Sequence, residues 1–112
     1  MKLVTAIIRP SRVDDVKESL KAAGVLGLTI SEVQGFGRQL GHTEIYRGAE
    51  YKVDLIPKMK IEVLTDDESW TRIAEAIADA ARTDAVGDGK IWTTDVVGAV
   101  RIRTGERGDD AI

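Results

Sequence analysis

Leu3-Val4-Thr5-Ala6-Ile7-Ile8 is apolar and β-branched and stops at Pro10, as a buried strand does. Ser11 and Asp14 stand at capping-box-like spacing, Val13, Val16, Leu20 and Ala23 recur with a helical period, and Gly24 supplies a stop. This pattern predicts a helix from about Arg12 to Ala23. Leu28 to Val33 reads as a second strand, and the slip in its alternation between Ile30 and Val33 predicts a bulge or twist.

Further on, Met59, Ile61 and Val63 alternate with Lys58, Lys60 and Glu62, so a third strand turns one face to the core and presents charge on the other. Asp66, Asp67 and Glu68 gather where a helix N-terminus favours negative charge. Trp70, Ile73, Ala74, Ile77, Ala78 and Ala81 then mark one helical face. Gly87-Asp88-Gly89-Lys90 reads as a turn, Ile91 to Val97 as a fourth strand, and residues 98–112 as a short tail. The order β-α-β, loop, β-α-β in a single domain of residues 1–112 predicts an α+β, ferredoxin-like β-α-β-β-α-β sandwich with right-handed crossovers. Its helices should cover one sheet face and leave parts of the other to solvent or a partner.

The stretch from Gly35 to Pro57 does not fit that periodicity. It is long, polar and without a core face, and it holds both tyrosines and the sole histidine. Connections of this length in compact domains are usually functional or disordered.

Composition narrows the chemistry. A chain of 112 residues can bury about 65% of its unfolded surface and fold without staples. With no cysteine, disulfide frameworks, thiolate metal sites and cysteine nucleophiles are excluded. A net charge of −3 with both signs mixed argues against a polyanion binder. No apolar run reaches a membrane span, and Met1-Lys2 leads straight into the first strand, so the expectation is a cytoplasmic globular protein.

Gly35, Gly37 and Gly41 bracket Arg38-Gln39, and the glycines around Asp88 precede Lys90. Glycine turns let backbone N–H groups reach anion oxygens, and a neighbouring cation adds countercharge; an ordinary hairpin turn is the alternative. Arg101 and Arg103, if extended, point to one side about 7 Å apart, a spacing that suits a polyphosphate; a solvated tail is the alternative. His42 has no second histidine to share a metal or an acid/base role. Tyr46 and Tyr51, flanked by charge, are suited to modification or to anchoring an interface.

Gly35-Phe36-Gly37-Arg38-Gln39, Gly41-His42-Thr43-Glu44, Tyr46-Arg47-Gly48-Ala49-Glu50-Tyr51, Gly87-Asp88-Gly89-Lys90-Ile91 and Arg101-Ile102-Arg103-Thr104-Gly105-Glu106 resemble the PII nitrogen-regulatory signal proteins in order and spacing. The resemblance implies a homotrimer that binds ATP or ADP, and 2-oxoglutarate together with Mg-ATP, in clefts between subunits. By similarity, the turn of Gly87, Asp88, Gly89 and Lys90, with Arg101 and Arg103, holds phosphates, while Thr29, Gly35, Gly37, Arg38, Glu62 and Leu64 surround the nucleotide. Gln39 completes the Mg²⁺ shell and contacts 2-oxoglutarate, and Lys58 pairs with one of its carboxylates.

Residues 37–55 correspond to the family's T-loop, with Tyr51 the acceptor for a nucleotidyltransferase and Arg47 the residue that enters an ammonium channel in channel-binding members. Nitrogen-metabolism enzymes or regulators are the other implied targets. Leu40 stands where many relatives carry a lysine that pairs with the residue at Glu62, and Thr83-Asp84-Ala85-Val86 replaces a commoner Thr-Gly-Lys-Ile.

Ordering backbone costs about 1–2 kcal/mol per residue, whereas micromolar binding yields about 8 kcal/mol in total. Effectors are therefore expected to order only the loop base, about Gly37 to Gly41, leaving Tyr46 to Tyr51 to partners. Two rivals share the β-α-β-β-α-β plan or the nucleotide residues. RNA recognition lacks its stacking aromatics here, with one phenylalanine in the chain and a pI near 5.2. An enzyme lacks a nucleophile or positioned base, so no catalytic residue is assigned and at most a trace ATPase is expected.

Overall fold

The computed structural model describes residues 1–37 and 55–112, together with the backbone of 43–46 and 49–52. Strands β1 (Lys2–Ile8), β2 (Thr29–Gly35), β5 (Ile56–Thr65) and β6 (Gly89–Asp95) form one sheet in the order β2-β5-β1-β6. All neighbours are antiparallel. Helices α1 (Val13–Ala22) and α2 (Trp70–Ala81) supply the connections, giving the expected ferredoxin-like α+β plan. Strands β3 (Thr43–Tyr46) and β4 (Ala49–Lys52) pair separately as a two-stranded antiparallel ribbon. Hydrophobic alternation missed this ribbon because a backbone ladder does not require a core-facing side.

The register puts alternate residues on two different faces. Val4, Ala6, Ile8, Ile61 and Val63 are buried with Val16 and Leu20 of α1 and Ile73, Ile77 and Ala81 of α2. Each of the valine, leucine and isoleucine side chains contributes about 1.5–3 kcal/mol through removal of apolar surface from water, and each alanine less. Ser19 Oγ donates to Ala76 O at 3.0 Å and ties the two helices together. On the opposite face, Thr29 pairs with Glu62, Ser31 with Lys60 and Val33 with Lys58, while Ile7 lies between Lys60 and Lys90. The charged alternation of the third predicted strand therefore marks the face away from the helices.

Several local expectations change. Ser11 does not cap α1: Pro10–Arg12 form a 3₁₀ turn, Arg12 occupies the N-cap position, and no side chain caps it. Proline pre-set for a helical first turn takes over that start. The stop at Gly24 is as expected, since Gly24 adopts φ 88°, and Gly24 N–H and Val25 N–H bond Lys21 O and Leu20 O, both at 3.0 Å, as a Schellman closure requires. At α2, Asp66 is the acidic residue that matters, accepting from Ser69 N–H at 2.8 Å and Glu68 N–H at 3.0 Å.

The bulge expected in β2 is absent, because its ladder to β5 runs unbroken from Thr29–Glu62 to Gly35–Ile56. Val33 breaks the alternation because it belongs to the face shared with Lys58. The short tail after β6 has a fold of its own. Val100 and Arg107 form an isolated bridge, and Gly108–Ala111 close as a 3₁₀ turn.

The closest approach in the sheet fixes the entry to β6. Gly89 has φ +105°, and a Cβ there would lie 1.7 Å from Ile7 O. Gly27, by contrast, has open space around it. Gly89→Ala should therefore cost about 3 kcal/mol or more in urea denaturation, against less than about 1 kcal/mol for Gly27→Ala. Equal stabilities would show that the backbone at 89 relaxes freely.

Candidate functional site

The turn between α2 and β6 is built around one carboxylate. Asp88 accepts from Thr83 N–H at 2.7 Å, from the Thr83 hydroxyl, from Asp84 N–H at 2.9 Å and from Arg9 Nε at 3.1 Å. These donors hold the Asp88 carboxyl far below the ordinary carboxylate range, the Thr83 hydroxyl contributing most. The same network lets Asp84 sit at φ 66°. Arg9 also donates from Nη2 to Val86 O at 2.7 Å, and Lys58 Nζ donates to Gly87 O at 2.6 Å. Cations from β5 and from the end of β1 thus grip consecutive acceptors of the turn.

Burial depresses the Lys58 pKa, Arg9 lowers it further, and Asp88 partly offsets both. Lys58 is therefore held in a mixed field rather than in open solvent. Gly87, at φ 102°, and Gly89, at φ 105°, use left-handed conformations that residues with a side chain rarely adopt. Lys90 follows on β6, on the face away from the helices.

The predicted set divides into two groups. Gly35, Lys58, Gly87, Asp88, Gly89 and Lys90 gather at the end of the sheet where β2 finishes and β5 and β6 begin, and Gly37 follows two residues beyond Gly35. Thr29, Glu62 and Leu64 lie toward the other end, beside a groove of about 360 Å³ that also meets Arg72 and Ile112. Lys58 and Glu62 stand four positions apart along the strand, about 13 Å. Glu62 faces Lys60, with N···O 3.9 Å.

Arg101 and Arg103 do not flank one another on an extended strand, because 102–104 form a turn. Arg101 instead bonds Glu106 at 3.1 Å and Ile112 O at 2.8 Å. A carboxylate and a carbonyl in the same segment satisfy the guanidinium, and Arg103 remains exposed. Arg38, Gln39, Leu40, His42 and Arg47 lie outside the described residues, as do the side chains of Tyr46 and Tyr51. Among the described residues, no group of three or more histidine or acidic side chains could hold a metal. Likewise, no helix among them is long and apolar enough to cross a membrane.

Comparison with known proteins decides the family. The model of "Nitrogen regulatory protein P-II" matches residues 1–106. The chain belongs to the P-II family. Proteins named Nitrogen regulatory protein P-II from Cereibacter sphaeroides, Rhodobacter capsulatus and Azospirillum brasilense are 58%, 57% and 57% identical to it over 112 residues, covering the whole of each chain. Against this P-II background, Arg9 is the site residue that sequence reasoning missed. Its only local signal was a cation at the end of β1, while its partners lie 77 and 79 residues away.

The Asp88 carboxylate gives the P-II turn a specific acid response. Its folded pKa is depressed, so its stabilisation is fully present above the ordinary value of 3.8 and is lost as pH falls toward the folded value. Wild-type unfolding free energy should decline steadily from about pH 5 to about pH 2, and Asp88→Asn should be less stable at pH 7 and flatter over that window. Chemical denaturation at several pH values measures this; identical slopes would remove Asp88 from the account.

Proposed function

We propose that this chain is a nitrogen-status signal protein that binds ATP or ADP, and 2-oxoglutarate with Mg-ATP, and acts on targets through residues 37–55. The turn of Gly87 to Lys90 carries this reading. It combines two left-handed glycines, a lysine and a rigid backing at the same sheet end as Gly35 and Lys58. Such a turn offers N–H donors and positive charge to phosphate oxygens.

The separation of the two residue groups favours a site shared between copies of the chain. Thr29, Glu62 and Leu64 of one copy, with its Arg101 and Arg103, would face Gly35, Gly37, Gly87, Gly89 and Lys90 of the next. In a homotrimer this arrangement recurs three times. The wholly exposed Val97 and Ile102 and the half-exposed Val100 give the C-terminal segment apolar surface suited to burial between subunits.

Within that cleft, Gln39 and the phosphates would hold Mg²⁺, which neutralises charge between ATP and the incoming dicarboxylate. Lys58 would pair with a 2-oxoglutarate carboxylate, drawing on the ammonium now bonded to Gly87 O. Arg38 follows Gly37 in the sequence at the start of residues 37–55, so ligand binding there would be felt where the loop begins. Tyr51 is the proposed acceptor for a nucleotidyltransferase. Arg47 is the proposed contact to an ammonium transporter, with nitrogen-metabolism enzymes or regulators as the alternative targets. The reading is of a cytoplasmic regulatory binding protein with at most trace ATPase turnover.

Two anions in one cleft bind favourably only with the cation between them, so 2-oxoglutarate affinity should rise at least about tenfold when Mg-ATP is present. Calorimetric titration of 2-oxoglutarate with and without Mg-ATP measures the difference. Equal affinities would contradict the shared site.

A further inference from the structure

A peptide unit carries its C=O and the next residue's N–H on opposite sides. Whatever fixes a carbonyl therefore also aims the following amide. In the turn before β6, Arg9 Nη2 holds Val86 O at 2.7 Å and Lys58 Nζ holds Gly87 O at 2.6 Å. The Val86 carbonyl faces Arg9, so Gly87 N–H is directed away from it. The Gly87 carbonyl faces Lys58, so Asp88 N–H points away and reaches Ala85 O at 3.3 Å. Gly87 at φ 102° has broad rotational freedom of its own, and the setting of its amide must come from such outside contacts.

Arg9 has a second hold on the same turn. Its Nε donates to Asp88 Oδ1 at 3.1 Å, so one planar guanidinium spans a backbone carbonyl and the carboxylate that organises residues 83–88. The side chain is about four-fifths covered, which limits its alternative positions. A fork with fixed donor spacing sets both acceptors at once; a lysine offers one ammonium and cannot reproduce that geometry.

We propose that Arg9 is a positioning residue for polyphosphate: it orients the Val86–Gly87 peptide so that Gly87 N–H faces the ligand's phosphates, without itself touching them. This rests on the nucleotide reading given above. Removing the fork should leave recognition of the nucleoside unchanged and weaken only the part of affinity that comes from the phosphate chain.

The test uses the full chain with Mg-ATP and AMP, measured by calorimetry with displacement for the weaker ligand. In Arg9→Met, the Mg-ATP affinity relative to AMP should fall at least about tenfold while AMP affinity stays within about twofold, and Arg9→Lys should lie between the variant and wild type. An unchanged ratio overturns the proposal, as does an equal loss for both ligands, because general destabilisation does not distinguish them. If circular dichroism shows Arg9→Met unfolded, the ratio in Arg9→Lys decides on the same terms. Wild-type protein that binds no Mg-ATP would overturn the nucleotide reading and this proposal together, whereas wild-type binding with unchanged variant ratios overturns the proposal alone.

Discussion

The carboxylate of Asp88 is the interaction on which the site depends. Its donors come from Thr83 and Asp84 within the turn and from Arg9 at the far end of β1, so a single side chain closes the local loop and fastens it to the sheet. Buried or half-buried carboxylates are costly unless satisfied, and this one is satisfied on all sides. Gly89 completes the constraint by letting β6 begin against the Ile7 carbonyl, where any Cβ would collide. Together they hold the turn in shape through contacts within the chain.

The rest of the fold serves that presentation. Packing of α1 and α2 against Val4, Ala6, Ile8, Ile61 and Val63 consumes one sheet face, leaving Lys58, Lys60, Glu62 and Lys90 together on the other. Because β1 is central and β5 lies beside it, Arg9 and Lys58 can reach one turn from adjacent strands. The same register sets Glu62 too far along β5 to join that turn within one chain. The geometry of a strand, rather than any loop, therefore separates the two groups of candidate residues.

Much of this was legible in the sequence. Core periodicity at Val16 and Leu20 and at Ile73 and Ile77 located both helices, alternation at Lys58 to Val63 identified the two-faced strand, and the glycines around Asp88 announced the turn. The misses have physical causes. Pro10 started a 3₁₀ turn that displaced Ser11 from its expected capping role, and Val33 looked like a bulge because an edge strand serves two faces. Arg101 and Arg103 look like a same-side pair on an extended segment, since the pairing of Arg101 with Glu106 depends on a reversal at 102–104 that periodicity does not register. Arg9 escaped notice altogether, because contacts across 77 and 79 residues leave no local trace.

The glycine turn held by Arg9, Lys58 and Asp88 stands at the sheet end where the long polar segment begins and ends, and the proposed function makes that end the ligand-reading one. Hydrogen exchange of the full chain with and without Mg-ATP and 2-oxoglutarate tests this most directly. The account predicts strong ligand-induced protection at Gly87 to Lys90 and at Gly35 to Gly41, with little change at Tyr46 to Tyr51. Unchanged exchange at Gly87 to Lys90 under saturating ligand, or protection extending through Tyr46 to Tyr51 without a partner, would contradict it.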